Sequence, residues 1–365
     1  MAATDLLRRA CLPLLLAAAA GLSAATLPED RAEMMYHAYD GGGVQVDGPA
    51  MEARQKLGSQ VSASASYYVD SISAASIDVV TSASPYSEQR TEYGVGLDWL
   101  YGNALMNLGY SNSDESDYQS DTYSLGLSQD VFGGMTTLSM GYAHGDDVVE
   151  RVDTDFQDSV DRDQFLLGVS QVLTPTLIAS LDYEAITEDG FLNNPYRSAR
   201  ILGAQVPERY PRTRTSHAVS VGAMKSLGDR KSAWSAVYRF FDDTWDIRAH
   251  TAETGYSRYV GNRWIVDFKY RFYTQDAASF YSDNFDREYR YMARDKELST
   301  FDSHTVTARL TWNLFDGRNS GLTKGNLGLS WEYLYFDYED FTDIRSGERY
   351  DFDSQVLQLY FTAWY

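Results

Sequence analysis

From residue 57 to the C-terminus, apolar and polar side chains alternate at period two in segments of about ten residues, the spacing of strands with one apolar face. In residues 91–101, Tyr93, Val95, Leu97, Trp99 and Tyr101 share one face, while Glu92, Gly94, Gly96 and Asp98 share the other. A single segment of this kind fits a soluble sandwich equally well, so number and spacing must discriminate. Fourteen segments occur, near 57–70, 89–101, 104–112, 121–131, 135–145, 161–172, 176–187, 215–227, 232–242, 245–259, 263–274, 303–314, 326–338 and 351–365. Tight turns at 102–103, 130–134, 173–175, 228–231 and 260–262 alternate with longer polar connections at 71–88, 113–120, 146–160, 188–214, 275–302 and 339–350. This arrangement predicts an all-β fold, a transmembrane antiparallel β-barrel of about 14 strands with both termini periplasmic.

Composition sharpens that reading. The chain has 365 residues with 28 Tyr, 16 Phe and 7 Trp, yet its mean hydropathy is −0.40. Trp99, Trp234, Trp264 and Trp312 fall near short turns, and Tyr93, Tyr110, Tyr123, Tyr142, Tyr183 and Tyr335 near long-loop ends, all on apolar faces. Two aromatic bands are what the two interfaces of a bilayer select. Residues 1–25 read as a signal peptide: Arg8 and Arg9, an apolar stretch from Leu12 to Leu22, then Ser23, Ala24 and Ala25. The only cysteine, Cys11, lies inside it, so the mature chain is expected to form no disulfide. Residues 26–56 precede the first counted segment and are expected to form a periplasmic N-terminal arm, with the barrel over 57–365. A formal net charge of −21 argues against nucleic acid as a partner and suits solvated loops.

The last segment alternates to the final residue, with Leu357, Leu359, Phe361, Ala363 and Tyr365 on one face. Phe361, Trp364 and Tyr365 resemble the terminal signal read by the barrel-assembly machinery, although Tyr stands where Phe is usual. The stretches Tyr67–Asp70, Ala74–Val80, Asn193–Arg197, Tyr273–Asp276 and Ala293–Ser299 also carry a resemblance. They are similar to a proteobacterial family of unknown function taken to be outer-membrane barrels, over nearly all of the mature chain. The resemblance implies an outer-membrane location in a Gram-negative cell and no established chemistry. It also implies a link to a small lipoprotein and to envelope redox or modification proteins as periplasmic partners.

Candidate function is expected on the inner face, since the outer face must stay apolar. Arg239, Arg248, Lys269, Arg271 and Arg309 are predicted to point inward on consecutive strands; Glu92, Asp98, Asp182, Glu184 and Glu332 point inward mainly elsewhere. Two readings stand open: opposed walls whose field orients a charged solute, or an ion-pair network filling the lumen. In the loop 188–214, Arg197, Arg209, Arg212 and Arg214 accompany Tyr196 and Tyr210. They suit an anionic group such as lipopolysaccharide phosphate, but pairing with neighbouring carboxylates is preferred. Phe280, Tyr281, Phe285, Tyr289 and Tyr291 predict that the segment 275–302 folds over or into the barrel mouth. Met34, Met35, His37 and Asp40 are the residue types of a copper site, yet their spacing matches no motif, and no metal or cofactor is expected. None of His144, His217, His250 and His304 is followed by the serine that a barrel phospholipase would need, so no catalysis is expected. The sequence therefore predicts an outer-membrane channel or export conduit for a small polar solute or for a product of a periplasmic system. It would be surrounded by lipid and lipopolysaccharide. A plugged barrel that docks periplasmic partners is the second reading, and a barrel hydrolase a remote third.

Overall fold

The computed structural model describes residues 25–74, 86–228, 231–319 and 321–365. The predicted signal peptide, apart from residue 25, and the segment 75–85 lie outside the described residues. Among the described residues, sixteen antiparallel strands close into a barrel. They are β1 (Arg31–Gly41), β2 (Val44–Lys56), β3 (Val61–Ala74), β4 (Tyr86–Tyr101), β5 (Ala104–Asp114), β6 (Tyr118–Val131), β7 (Thr136–Glu150), β8 (Gln157–Thr174) and β9 (Leu177–Gly190). After a small separate hairpin, β10 (Ser198–Ile201) and β11 (Ala204–Pro207), the wall continues. Its remaining strands are β12 (Thr213–Ser226), β13 (Ser232–Asp243), β14 (Arg248–Val260), β15 (Trp264–Gln275), β16 (Phe301–Asn319), β17 (Leu322–Thr342) and β18 (Arg349–Trp364).

The alternation sorts the two faces as expected. Tyr93, Val95, Leu97 and Trp99 are exposed on the outer face, as are Leu125, Leu127, Leu138, Met140, Leu167, Leu181, Leu329 and Leu359. Large apolar side chains turned toward the surroundings are costly in water and stable in lipid, and closure leaves no unpaired strand edge there. Trp99, Trp234 and Trp264 mark the end that carries the short turns, and Trp264 stacks on Trp312 with ring centroids 5.5 Å apart. Tyr93, Tyr123, Tyr142 and Tyr183 mark the end that carries the long connections. These are called here the turn end and the loop end; both termini lie at the turn end. Strands run past the tyrosine band at the loop end. On β17 the outward series Leu329, Trp331, Tyr333 and Tyr335 gives way to Asp337.

The strand count corrects the sequence reading. Residues 31–56 are not a periplasmic arm; they are β1 and β2, and they bring the total from 14 to 16. Two features hide them. On β1, Met35 and Tyr39 point inward, so both faces of Arg31–Gly41 carry apolar side chains and the alternation blurs. On β2, Gln45 and Asp47 stand on the outward face, and Pro49 lacks the N–H a central strand needs. The ladder to β3 skips Gly48 and Pro49, which accommodates the proline. Tyr36 covers this place, opposite Pro49, and donates its hydroxyl hydrogen to Asp47 Oδ2 at 2.5 Å.

Closure runs through β1 and β18. Met34 opposes Phe361, Tyr36 opposes Leu359 and Arg31 opposes Trp364. The final residues lock the seam: Tyr365 donates its backbone N–H to the Asp30 carbonyl at 3.3 Å and its hydroxyl to the Arg54 carbonyl at 2.9 Å. Lys324 Nζ sits 4.3 Å from the Trp364 ring centre. Phe361, Trp364 and Tyr365 thus have a structural place at the seam, whatever else reads them.

Candidate functional site: the lumen and its cap

The inner wall is built from two kinds of surface. Along β3 to β9 and β12 a run of inward positions is small, interspersed with Glu92, Asp98, Asp182 and Glu184. Ser64 and Ser66 stand beside Gly96 and Gly94, Gly109 beside Ser124, Gly168 beside Ser139, and Gly222 beside Ser180. A Cβ on these glycines would meet the neighbouring serine oxygen at 2.3–2.7 Å, so glycine and serine fit against each other in a thin wall. Short side chains at these positions take up little of the space inside the wall.

Charged side chains share the inner face, with the basic Arg239, Lys269, Arg271 and Arg309 on β13, β15 and β16. Of the ten residues predicted to line the lumen, nine lie on inward faces by register. Arg248 is the exception. It opposes Asp242 at the first residue of β14, on the outward face with His250, and pairs with that carboxylate at 3.2 Å. The parity of β14 is set by its inward series Thr251, Glu253, Gly255 and Ser257, which puts even-numbered residues outside.

The predicted separation of basic and acidic walls is largely replaced by local pairs. Arg239 reaches Glu184 at 2.7 Å. Lys269 and Arg271 converge on Glu253 at 3.3 and 2.8 Å. Arg54 pairs with Asp98, which also accepts from Asn107 at 2.9 Å. Sequence reasoning missed Glu253 and Arg54, although the parity of β14 identifies the former as inward. Arg309 lies 5.8 Å from the Tyr360 ring centre, and Asp182, Glu92 and Glu332 complete the inner set. Lys269 and Arg271 remain half exposed, so the cationic side of the pairs is the accessible one.

The residues considered for copper do not meet. Alternation on β1 sends Met34 outward and His37 inward. His37 is buried, with its Nε2 2.7 Å from Asp70 Oδ1 and 3.1 Å from the Tyr68 hydroxyl, and its ring stacked on that of Tyr68. Asp70 also meets Arg90 at 2.6 Å. Asp70 and Arg90 are buried as well, and a buried network of this kind fixes β1, β3 and β4 against one another. The other histidines stand on the outer face. His217, His250 and His304 each bring Nδ1 to a tyrosine hydroxyl, of Tyr183, Tyr238 and Tyr270, at 2.6–2.8 Å. His144 Nδ1 lies 2.9 Å from Asp163.

At the loop end, the connections 191–212 and 276–300 fold together as a cap. Hairpin β10–β11 lies in the first, and Ile201 bridges to Phe285 while Arg209 bridges to Met292 in the second. Beneath these contacts Tyr210, Trp245, Ile247, Ala278, Phe280, Ala293 and Leu298 form a buried apolar cluster, and Ala199, Phe285 and Met292 form another. Of the aromatic residues in 275–302, Phe280 and Phe285 are buried in these clusters and Tyr281 and Tyr291 pack against the first, while Tyr289 is exposed.

Arginines hold the two cap segments together and tie them to the wall. Arg294 is buried, pairs with Asp283 at 2.7 Å, donates to the Thr342 carbonyl at 2.6 Å and lies 4.3 Å from the Phe341 ring centre. Arg197 pairs with Asp295, Arg209 with Glu288 at 2.7 Å, and Arg212 with both oxygens of Asp158 at 2.7 and 2.9 Å. Arg214, on β12 rather than in the loop, pairs with Asp243 at 2.6 Å and stacks over Trp245. All four predicted loop arginines are therefore engaged with the protein's own carboxylates.

The apolar outer belt and the closed ladder assign this chain to the outer membrane, where spanning β-structure takes this form. Solved outer-membrane barrels share the fold. A bacterial polysaccharide outer membrane secretin aligns over 93% of this chain and 99% of its own, with 9% identity and a TM-score of 0.53. The siderophore receptor PirA from Pseudomonas aeruginosa aligns at 11% identity and a TM-score of 0.46, over 86% of this chain but 57% of the receptor, so the chain spans little more than half of that protein. A FadL homologue from P. aeruginosa aligns at 9% identity and 0.43, over 92% and 90% of the two chains. No curated protein matches by sequence. One family does, over residues 77–323, and the chain belongs to it: the family described as protein of unknown function (DUF3570).

Proposed function

We propose that this barrel is a conduit carrying small polar solutes across the outer membrane, with the loop end on the outside and its mouth narrowed by the cap. The glycine–serine inner wall carries the proposal. Such a wall contributes little packing, since it buries little apolar area, and its consequence is free cross-section lined by hydroxyls and backbone. The half-exposed Lys269 and Arg271 opposite that wall give the path a local positive surface in an acidic protein. No catalytic step is included, because four of the five histidines stand outside the lumen with partners of their own.

A plugged barrel is the second reading, and the buried core of the cap favours it: a segment with its own apolar cluster is a folded unit. Docking of periplasmic redox or modification partners draws on the family resemblance and on an N-terminal arm, and with residues 31–56 inside the barrel wall the second of these supports is gone. Single-channel conductance in a planar bilayer separates the readings, using the full chain and a form with residues 277–299 replaced by a short flexible linker. Steady conductance from the full chain supports the conduit. Conductance from the shortened form alone supports the plug, and silence from both rejects a pore. In a conducting barrel, Arg271→Ala removes one cation and leaves Glu253 less compensated, so selectivity is expected to move toward cations.

A further inference from the structure

At the loop end, three carboxylates converge from two elements. Glu88 lies near the start of β4, and Glu115 and Asp117 flank Ser116 in the turn between β5 and β6. One oxygen from each lies within 4.8 Å of the others. The turn is clamped to β4 because Ser116 donates to Glu88 Oε1 through its backbone N–H at 2.9 Å and through its hydroxyl. Glu115 is 6% exposed and Asp117 is 9% exposed. Asp117 Oδ1 has no hydrogen-bond partner. Among the described residues, no arginine or lysine forms an ion pair with Glu88 or Asp117. Burying an ionised oxygen without a compensating partner is among the costlier arrangements a fold can hold, and a second carboxylate beside it adds repulsion.

We propose that Glu88, Glu115 and Asp117 form a binding site for a hard divalent cation, calcium before magnesium. The donor set is all oxygen, which disfavours the soft and borderline metals that prefer sulfur or imidazole. The ligands come from a strand and a tight turn at irregular spacing, and calcium accepts such geometry where magnesium demands a near-regular octahedron. A cation here would neutralise the cluster and join β4 to the β5–β6 turn. It would also lie near the cap, where the Tyr196 hydroxyl accepts from the Val152 N–H at 2.9 Å. The site is separate from the lumenal ion pairs, so it stands whether or not the barrel conducts.

The test uses the full-length barrel, refolded, freed of metal with a chelator and titrated with terbium(III), whose emission tyrosines beside the site would sensitise. Calcium is then added as competitor. The expected result is sensitised emission that calcium displaces, together with a rise in thermal midpoint on adding calcium alone. Both effects should be lost in Glu88→Gln and in Asp117→Asn, and retained in Asp146→Asn. That control alters a second acidic group, on the outer rim beside His144 and Asp161. No emission from the parent overturns the proposal, as does emission undiminished in Asp117→Asn or lost only in Asp146→Asn. Folding of each variant is checked by heat-dependent migration on a gel. Should both site variants fail to fold, calcium binding to the parent is measured by calorimetry, and an absence of binding overturns the proposal in that case.

Discussion

Asp117 is a single carboxylate whose surroundings oppose its charge. Burial, and then the negative charge of Glu88, push its pKa above the usual aspartate range. A folded-state pKa raised above the unfolded one gives stability that is full below the unfolded value and is lost as pH rises through the folded value. In the chelated protein, ionised Asp117 therefore weakens the loop end near neutral pH and ceases to do so in acid. Asp117→Asn removes the titration. The variant is expected to be at least as stable as the parent at pH 7 in chelator, with the difference shrinking toward pH 4, as thermal unfolding at stepped pH would show. A parent that gains no stability relative to the variant on acidification would mean that Asp117 is not strained. On the opposite principle, Gly96 is a residue chosen for what it lacks. A Cβ there comes close only to the Ser64 hydroxyl, at 2.6 Å, which can rotate away, and its next contacts are ordinary ones at 3.8 Å and beyond, so Gly96→Phe is expected to fold and to project a ring into the lumen. In a conducting barrel it should lower single-channel conductance by roughly half or more. Unchanged conductance would place the solute path elsewhere.

The elements were legible in proportion to how local their causes are. Alternation and turn residues mark the fourteen strands from β3 onward, apart from the cap hairpin, because lipid on one side and water on the other impose period two on each strand independently. The Met35 and Tyr39 side chains on the inner face of β1, and Pro49 in β2, break that local rule, and only pairing with β18 and β3 explains their tolerance. The cap was legible as two aromatic, arginine-rich segments, but not as one body. Its bridges join Arg209 to Met292 and Ile201 to Phe285, more than eighty residues apart, and no short-range pattern encodes them. For the same reason the carboxylate partners of Arg197, Arg209, Arg212 and Arg214 were anticipated only as a type. The element is testable through Arg294, the buried cation that holds 276–300 to β17. Arg294→Ala strands Asp283 and opens space beside Phe341, and breaking a partly buried pair of this kind costs about 3–5 kcal/mol. That loss should appear locally, as faster proteolysis and hydrogen exchange of 276–300 with the barrel intact. Unaltered protection of the segment would assign its anchoring to the apolar cluster alone.

At the scale of the whole molecule, the question that separates the sequence reading from the structure is what residues 26–56 do. An arm is dispensable to the barrel, whereas two strands at the seam are not. In the closed ring β2 pairs with β3 and β1 with β18, so removing β1 and β2 leaves β3 and β18 facing each other across a gap two strands wide. Their backbone N–H and C=O groups would then be turned toward hydrocarbon, where each unsatisfied group costs several kcal/mol. A fourteen-stranded ring could close only by pairing β3 with β18 afresh. That would discard the Tyr365 contacts to Asp30 and Arg54 and the His37–Asp70 contact, all of which cross the deleted segment. It would also change strand tilt and stagger around the entire wall, since these are linked to strand number. Deletion of residues 26–56 is therefore expected to abolish the heat-modifiable, protease-resistant form on refolding. A less drastic change, Asp70→Ala, should lower its yield or midpoint by leaving Arg90 buried without its carboxylate. Efficient refolding of the deleted chain into a resistant barrel would show that fourteen strands suffice. In that outcome β1 and β2 are an insertion into an otherwise complete ring, and the parity of inner and outer faces would have to be re-examined at the seam.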